Sequence, residues 1–418
     1  MKLAIIGSGI SGLTAAWHLQ HDHEVTVFEA GDKPGGHTDT HTLDIEGQQV
    51  RVDSGFIVFN RHNYPNFCKM LDALGVEAQA SDMSFSVVHE GLDLVYGAAG
   101  LGRLLARKRN LLRPDFYRML WDLRRFYREA PALLDSDDDT LTLGEYLDQN
   151  GYSPAFSEGH ILPMAAALWS SSMDFARHFP ARYFVAFMAN HRMLQVNERP
   201  QWLTVRGGSD TYVQALIRQF RGTLLTRQPV HAVRRHAGGV TLLTEAGPAE
   251  FDGVVMACHS DQALALLDHP SAAEQAVLGN IGYASNHVTV HHDVRQLPPA
   301  RAAWASWNAR VTRDARSHCQ VSYWMNLLQN LPVKTPVIVS LNAEHQIDPD
   351  TIWLTRTYAH PQYTTETLRA QRRHADISGQ QRTWYCGAYW GWGFHEDGVR
   401  SALTVVDQIQ REATSHAA

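Results

Sequence analysis

Close to the N-terminus, three glycines recur at a spacing that allows a backbone to approach a ligand closely. Segment 7–12 reads GSGISG, which matches the pattern GxGxxG. In this pattern the first glycine permits a tight turn, the second lets the backbone approach a pyrophosphate, and the third lets a helix pack on a strand. Backbone N–H groups at the start of that helix would hold the anion. The predicted pyrophosphate-binding residues are Gly7, Gly9, Ile10, Ser11 and Gly12.

An acidic residue follows at the distance where a nucleotide ribose is usually bound. Glu29 comes 17 residues after Gly12, at the end of an apolar run. A carboxylate in that place can accept hydrogen bonds from ribose hydroxyls. The structural alternative is a glycine-rich turn with an incidental acidic residue. The combination favours a dinucleotide cofactor, but it does not by itself separate NAD from FAD.

The elements that must position these residues have the order strand, helix, strand. Residues 2–6 are typical of a buried parallel strand, residues 10–21 have apolar positions at helical spacing, and residues 25–30 form a second strand signal. This βαβ unit predicts a Rossmann-like α/β domain. Further strands are predicted at 251–258 and 383–390, so we expect the nucleotide-binding domain to be discontinuous.

Two intervening segments have a different character. Residues 101–200 are helix-like and rich in arginine and aromatic residues, whereas residues 281–360 alternate as strands do. We therefore predict a second, α+β domain that binds the substrate. The predicted boundaries are 1–90, 201–280 and 375–418 for the nucleotide-binding domain, and 91–200 and 281–374 for the substrate domain.

Composition limits the class of protein. The chain has 418 residues, 44% of them hydrophobic, and a formal net charge of -6, which argues against a disordered or general nucleic-acid-binding protein. The four cysteines form no CxxC pair, so a reducing compartment is expected. The N-terminal apolar run is too short for a signal peptide, and no stretch is long enough to span a membrane. These features predict a cytoplasmic enzyme.

A second glycine pair follows Glu29. Segment 29–37 reads EAGDKPGGH, and it resembles the second glycine signature of the amine oxidase, protoporphyrinogen oxidase and phytoene desaturase superfamily of flavoproteins. Gly35 and Gly36 would permit a second close backbone approach, which a long FAD requires beyond its pyrophosphate. The resemblance implies FAD as cofactor and an amine-oxidase-like two-domain architecture. Because no Cys or His stands at a defensible attachment position, we expect FAD to be held non-covalently.

The resemblance continues along the chain. Segment 51–56 looks like the family's acidic-x-Gly element near the flavin, segment 205–209 like its later GG element, and segment 228–230 like the strand that meets the adenine. Segments 386–388 and 395–399 resemble the C-terminal flavin signature. The residues that this resemblance adds to the predicted FAD site are Gly35, Gly36, His37, Gly55, Phe56, Val230, Gly387, Asp397, Gly398 and Val399.

The chain is most similar to a bacterial branch known as predicted FAD-binding amine oxidoreductases. The residues that carry this narrower match are 36–38, 304–308, 323–326 and 393–398. Members of this branch are associated with fatty-acid modification, including cyclopropane fatty acid synthases. The resemblance implies a lipid substrate and a lipid-modifying partner enzyme, although the association does not define a reaction.

The chain departs from amine oxidases at several places. Those enzymes usually carry a lysine beside the flavin on a substrate-domain strand, whereas the corresponding segment 283–290 has Asn286 and His287. His37 replaces a common arginine, and Ala388 a common acidic residue. These differences put amine oxidation in doubt. The predicted catalytic residues are Asn286, His287, Tyr389 and His395, and for His395 a structural hydrogen-bonding role is the alternative.

The sequence predicts an apolar substrate cavity but no metal site. The histidines at 287, 291 and 292 lie on one strand-like segment without an acidic partner at ligand spacing. Six aromatic residues near the C-terminal signature are candidates to line an apolar substrate cavity, although some must belong to the core. They are Trp384, Tyr385, Tyr389, Trp390, Trp392 and Phe394.

One segment in the first third of the chain is strongly basic. Residues 101–128 contain nine basic side chains and two acidic ones, with leucine and phenylalanine interleaved. This pattern predicts one or two amphipathic helices whose cationic face contacts anionic lipid at the inner membrane surface. A solvated charged face is the alternative.

These observations lead to three hypotheses. The first is an FAD-dependent oxidoreductase that removes a hydride equivalent from a hydrophobic substrate, a fatty-acyl or other lipid chain. The second is a flavin amine oxidase. The third is a flavin-dependent isomerase or an FAD-bearing accessory subunit of a lipid-modifying enzyme.

Overall fold

The computed structural model describes residues 1–98, 100–195, 197–313 and 319–417, with α-helical, 3-10 and π-helical segments between the strands. The strands are β1 Lys2–Ile6, β2 Glu24–Phe28, β3 Thr40–Ile45, β4 Gln48–Asp53, β5 Val58–Asn60, β6 Ala78–Ala80, β7 Phe85–His89, β8 Leu94–Gly97, β9 Trp202–Val205, β10 Thr223–Leu225, β11 Val230–His236, β12 Gly239–Thr244, β13 Gly247–Phe251, β14 Gly253–Met256, β15 Tyr283–His291, β16 Trp307–Val311, β17 Gln320–Trp324, β18 Ile338–Leu341, β19 Ile352–Pro361 and β20 Thr383–Tyr385.

The helices alternate with these strands. They are α1 Ile10–Leu19, α2 Pro65–Leu74, α3 Gly100–Leu104, α4 Pro114–Glu129, α5 Leu143–Gln149, α6 Pro154–Phe156, α7 Leu162–Leu168, α8 Met173–Arg177, α9 Ala181–Asn190, α10 Asp210–Gln219, α11 Ser260–Leu266, α12 Ala272–Leu278, α13 Met325–Leu328, α14 Thr365–Gln371, α15 His374–Ile377 and α16 His395–Ala417. Short 3-10 turns at 108–112 and 130–135 flank α4.

A parallel sheet carries the N-terminal glycines. Its strand order is β10, β2, β1, β14, β20, and every neighbouring pair is parallel. The central strand β1 is buried because its apolar side chains pack with α1 and α16 on one face and with strands β11–β13 and α11 on the other. The predicted α/β class and the predicted strand–helix–strand unit are confirmed. Strands from three distant parts of the chain pair directly in this sheet.

Two predicted strands end earlier than expected. The segment 251–258 is divided at Asp252, whose N–H donates to Lys2 O at 2.8 Å and turns the chain from the hairpin strand β13 into β14. The strand predicted at 383–390 ends at Tyr385, because the Gly387 N–H donates to Ser401 Oγ on α16 at 2.9 Å instead of continuing the sheet. Both boundaries depend on contacts between residues far apart in sequence.

A seven-stranded sheet forms the second layer. Its order is β19, β15, β18, β17, β16, β7, β8, and it is antiparallel except where β16 pairs with β7. The helices from α3 to α9 are packed around a large apolar cluster beside this sheet, as predicted for residues 101–200. β7 lies within the predicted segment 1–90 but joins this sheet. The two domain boundaries remain predictions.

Buried polar groups connect the layers. Asp53, at the end of β4, is fully buried and accepts hydrogen bonds from Ser209 N, Thr40 Oγ1 and Gln329 Nε2 at 2.9, 2.5 and 2.8 Å. Burial raises the pKa of this carboxyl to about 7. The carboxyl thereby joins a β-hairpin, the start of α10 and the loop after α13.

Candidate functional site

The first glycine turn leaves open space in front of the N-terminus of α1. A Cβ on Gly12 would lie 1.9 Å from Gly7 O, and one on Gly7, whose φ is +104°, would lie 2.8 Å from Ala257 O. A Cβ on Gly9 would instead meet nothing within 4 Å. Because the first N–H groups of a helix have no intrahelical acceptor, those at Ile10 and Ser11 are available to an anion in this space.

The second glycine pair lies directly against the first turn. A Cβ on Gly36 would lie 3.0 Å from Gly9 Cα, and Gly35 N donates to Ser8 O at 3.0 Å. Gly35 and Gly36 have φ of +127° and +58°, which side chains disfavour. The two turns therefore form one cradle of bare backbone. Its open space and free donors fit the pyrophosphate of FAD.

Glu29 connects both sides of this cradle. Its carboxylate accepts hydrogen bonds from Ser8 N at 3.0 Å, Ser8 Oγ at 2.5 Å and Gly31 N at 2.7 Å. A carboxylate has about four acceptor sites, so a ribose hydroxyl can still be bound. The residue therefore orders the turn in addition to the predicted contact with the ribose.

The predicted adenine strand lies on the same side as Glu29. Gln228 N donates to Glu29 O at 2.9 Å, and Arg227 N donates to Gly31 O at 2.8 Å. Val230 begins β11 immediately afterwards and is partly exposed. This arrangement is compatible with the predicted contact between Val230 and the adenine.

Gly55 and Phe56 lie on the other side of the second turn. A Cβ on Gly55 would lie 2.0 Å from His37 O, and Phe56 N donates to the same oxygen at 2.8 Å. The Phe56 ring stacks on His395, with centroids 3.5 Å apart. The acidic-x-Gly element, the second glycine pair and the C-terminal signature therefore meet at one place.

The start of α16 packs against the start of α1. A Cβ on Gly398 would lie 2.8 Å from Ile10 Cγ2 and 2.9 Å from Ser11 Oγ, and Val399 is buried in the apolar cluster that contains Ile10. Gly387 is fixed to α16 through Ser401. Two helix N-termini therefore face the same cradle, which favours negative charge on a ligand.

Asp397 organises the loop before α16. Its carboxylate accepts hydrogen bonds from Trp392 N and Phe394 N, both at 3.0 Å, and from Arg400 Nη2 at 2.5 Å. Burial is the largest influence on this carboxyl and raises its pKa to about 6. Asp397 thus fixes the backbone positions of two aromatic residues, Trp392 and Phe394.

The four predicted catalytic residues do not form one group. His395 is buried, and its Nε2 hydrogen-bonds with Thr38 Oγ1 and Tyr212 OH, both at 3.1 Å. Burial holds the pKa of His395 well below its usual range. Tyr389 is buried in the cluster beside the parallel sheet, and its hydroxyl has no partner among the described residues. These contacts favour the structural role of His395.

Asn286 and His287 point to opposite faces of β15, because successive strand side chains alternate. Asn286 is buried, donates to His360 Nδ1 at 2.9 Å and accepts from Asn342 Nδ2 at 2.8 Å. His287 lies beside Glu344, with 3.7 Å between Nδ1 and Oε2. Only Asn286 is connected to the surroundings of the glycine cradle.

That connection is a cluster of three histidines. The His37 ring lies 5.5 Å from His360, 5.7 Å from His259 and 5.3 Å from Tyr358 between centroids. His37 Nε2 donates to Ala359 O at 3.1 Å. The sequence analysis missed His259, His360 and Tyr358. Alternation along β19 puts Tyr358 and His360 on one face, but nothing local connects them to His37.

Burial, as the largest influence, lowers the pKa of His37 to about 4 and that of His360 to about 3, from an ordinary 6.5. Both rings are therefore neutral at neutral pH. Both side chains nevertheless remain partly exposed to solvent. They form a polar, uncharged group beside the second glycine turn.

We expect acid to destabilise the flavin-free protein through these rings. The unfolded chain binds more protons than the folded chain below the ordinary histidine pKa, so stability present above that pKa is lost as the pH falls towards 4. From about pH 7.5 to about pH 5, His360 should account for about 1 kcal/mol, less than the full shift implies because its ring retains some access to solvent. His360→Gln should reduce this loss in urea unfolding. An unchanged pH dependence would contradict the prediction.

Aromatic rings form a wall between the helices and the loop before α16. Phe187 on α9 stacks with Phe394, with centroids 5.2 Å apart, and Tyr183 lies one turn earlier, 6.2 Å from Trp392. Two polar groups of the wall are used internally: Trp169 Nε1 donates to Trp392 O and Tyr183 OH donates to Gly391 O, both at 3.0 Å. Trp392 Nε1 is buried and has no partner among the described residues. The wall therefore presents mainly hydrocarbon.

Only part of the predicted aromatic set belongs to this wall. Trp392 and Phe394 pack against the helical cluster, whereas Trp384 lies in the core of the parallel sheet and Tyr385 donates to Glu274.

Among the described residues, no three or more His, Cys, Asp or Glu side chains are arranged to hold a metal ion.

Comparison with known proteins agrees with this geometry. The family profile described as "Flavin containing amine oxidoreductase" matches residues 10–299. A protein of Mycobacterium tuberculosis named as flavin-containing monoamine oxidase AofH is 27% identical over 267 residues, which cover 62% of this chain and 56% of that protein. The chain thus spans little more than half the length of this curated relative.

Solved structures share the fold over nearly the whole chain. Cyclohexylamine oxidase from Brevibacterium oxydans has a TM-score of 0.72 at 15% identity and covers 99% of both chains. The CLA-producing fatty acid isomerase from P. acnes has a TM-score of 0.68 at 16% identity and covers 98% of both chains. At such identities the likeness concerns the fold alone.

Proposed function

Because this chain belongs to the flavin containing amine oxidoreductase family, with FAD as its cofactor, we propose that it oxidises a hydrophobic substrate by removing a hydride equivalent. Fatty-acyl or other lipid chains are the preferred substrates in this proposal. When bound, FAD supplies the two-electron acceptor. The chain must bind the substrate, orient it and exclude water.

The aromatic wall is the observation that carries this proposal. Trp392 and Phe394 are partly exposed, whereas their neighbours Trp169 and Phe187 are buried, so part of the apolar surface of the wall is accessible. The internal hydrogen bonds of Trp169 and Tyr183 leave no donor of theirs for a polar substrate. A hydrocarbon chain fits such a surface because its contact with water is removed on binding.

The wall is also held next to the cofactor cradle. Asp397 fixes the backbone at Trp392 and Phe394, and the following residue, Gly398, contacts α1. The distance between wall and cradle is therefore set by one short segment of the chain. The neutral His37 and His360 lie beside the second glycine turn and are groups of this site that can accept a proton.

A second candidate is oxidation of a hydrophobic amine. Tyr183 and Tyr363 stack with centroids 5.3 Å apart at 28°, and aromatic faces attract an amine nitrogen and its protonated form. The similarity to AofH supports the same reaction. Against it stands β15, where Asn286 rather than a lysine is buried.

Anaerobic mixing of the FAD-loaded protein with a long-chain fatty acid, its acyl thioester or a long-chain primary amine tests the proposal. Loss of the visible flavin absorbance with an acyl substrate is expected, and Phe394→Asn should slow it while Phe394→Leu should not. Bleaching by the amine alone would favour the second candidate. An acyl substrate that changes double-bond position without bleaching would establish an isomerase and overturn the proposal.

A further inference from the structure

One surface of the helical layer exposes large apolar side chains. Leu111, Leu112, Tyr117 and Trp121 are 44%, 85%, 51% and 59% exposed. They belong to α4 and to the 3-10 turn at 108–112 that precedes it. Most large apolar side chains of the described residues are covered, so this concentration within eleven residues requires an explanation.

The exposed side chains of α4 form one stripe. Tyr117, Trp121, Arg124 and Arg128 are spaced by four, three and four residues, which puts them on one face of a helix, and all four are exposed. The opposite face buries Phe116, Met119 and Phe126 in the helical cluster. The helix is therefore well packed on one side while its outer side combines aromatic and cationic groups. Tyr117 OH donates to Leu111 O at 2.9 Å and joins the turn to the stripe.

Several basic residues near this stripe are neutralised. Arg107 and Arg109 form ion pairs with Asp93, and Arg113 pairs with Asp115. Within the stripe, Arg128 pairs with Glu129 at 2.8 Å. In contrast, Lys108 and Arg124 are exposed and pair with no carboxylate in the part of the chain that the structure describes. The available positive charge is smaller than residue counting suggests, but it lies beside the exposed apolar groups.

We propose that this surface docks onto an anionic lipid bilayer. The docking face consists of Lys108, Leu111, Leu112, Tyr117, Trp121, Arg124 and Arg128. Leucine enters the acyl boundary, tyrosine and tryptophan lie at headgroup level, and lysine and arginine contact the anionic headgroups. No helix of the described chain combines the length and apolar content that a membrane crossing needs.

Charge and packing both favour this partner. The whole chain carries a formal net charge of -6, so an anionic surface attracts the docking face and repels most of the remaining protein, which fixes the orientation. A second copy of the chain lacks that attraction overall. On its inner side, α4 packs into the same cluster that contains Phe187 and Trp169 of the aromatic wall. A bilayer contact at α4 thus brings lipid to the helical layer that bears the wall.

Co-sedimentation of the FAD-loaded protein with vesicles tests the proposal. We expect binding to vesicles of equal parts phosphatidylcholine and phosphatidylglycerol at low salt, and much weaker binding at high salt or with phosphatidylcholine alone. Lys108→Gln with Arg124→Gln should weaken partitioning about 25-fold, at about five-fold per charge. Leu112→Ser with Trp121→Ser should weaken it by at least about 10-fold.

Matched variants control for general effects. Arg218→Gln with Arg221→Gln removes two exposed charges elsewhere, and Val294→Ser removes an exposed apolar side chain outside the docking face. Neither should change partitioning by more than about two-fold, since neither variant alters the docking face. Binding that is insensitive to salt, lipid charge and both docking-face variants would overturn the proposal. The proposal would also be overturned if the protein does not bind vesicles but forms a dimer in solution that dissociates on the same substitutions. A flavin unreactive towards lipids bears only on the proposed reaction, because this assay requires no turnover.

Discussion

Replacing Gly9 with asparagine should leave the chain folded and remove its ability to retain FAD. Gly9 is the N-cap of α1, and a side chain there meets open space. Asparagine is among the best N-cap residues, and its oxygen accepts from the same N–H groups that an anion needs. The loss of two hydrogen bonds to a charged group should weaken FAD binding by at least about 100-fold. Flavin absorbance after gel filtration and FAD titration of the stripped protein measure this effect.

Gly102→Asn is the matched control, because a side chain at Gly102 also meets open space but lies far from the cradle in sequence, on α3. It should purify with wild-type flavin content. The unfolding midpoint of flavin-free Gly9→Asn should equal or exceed that of the flavin-free wild type, because the new cap stabilises α1. Full flavin occupancy in Gly9→Asn would exclude this turn from the cofactor site.

Replacing Asp397 with alanine should destabilise the protein by about 3 kcal/mol, since two buried N–H groups lose their acceptor at about 1–3 kcal/mol each. The groups are those of Trp392 and Phe394, which donate to Asp397 Oδ2 at 3.0 Å and to no other acceptor that we observe in the described residues. Arg400 is half exposed and regains water. Flavin should also be held less tightly, because the start of α16 contacts α1. Urea unfolding and flavin retention measure the two effects.

Asp397→Asn keeps one oxygen acceptor for both N–H groups, so its loss of stability should be below about 1 kcal/mol. Asp407→Ala removes an exposed carboxylate from the same helix and should be nearly neutral. If Asp397→Ala unfolds at the wild-type urea concentration, the carboxylate does not organise this loop.

Local patterns were sufficient for much of the parallel sheet. The turn at 7–12 requires its glycines within a few residues of sequence, so its strand and helix could be predicted together. The end of β20 could not be predicted, because it depends on the hydrogen bond from Gly387 N to Ser401 Oγ on a later helix. Asp252 divides a predicted strand for the same reason, through Lys2 O. Boundaries fixed by distant partners carry no local signal.

The site shows the same division. The glycine elements are recognisable because close approach to a cofactor restricts residue type directly. The histidine cluster was missed because His37, His259 and His360 come from three separate elements, and a histidine is common in loops. His395 was considered for proton transfer, whereas its contacts with Phe56, Thr38 and Tyr212 are those of a buried structural group. Sequence identifies the residue but not its neighbours.

The contact between Gly398 and Ile10 has a consequence for synthesis of the chain. The first helix of the cradle leaves the ribosome long before the helix that completes it, and β14 and β20 must also arrive before the sheet is whole. A growing chain therefore cannot hold FAD firmly until α16 has been made. Until then its apolar β1 and α1 lack their final neighbours and depend on chaperones or on rapid completion. Cofactor capture would thus report that translation has passed α16.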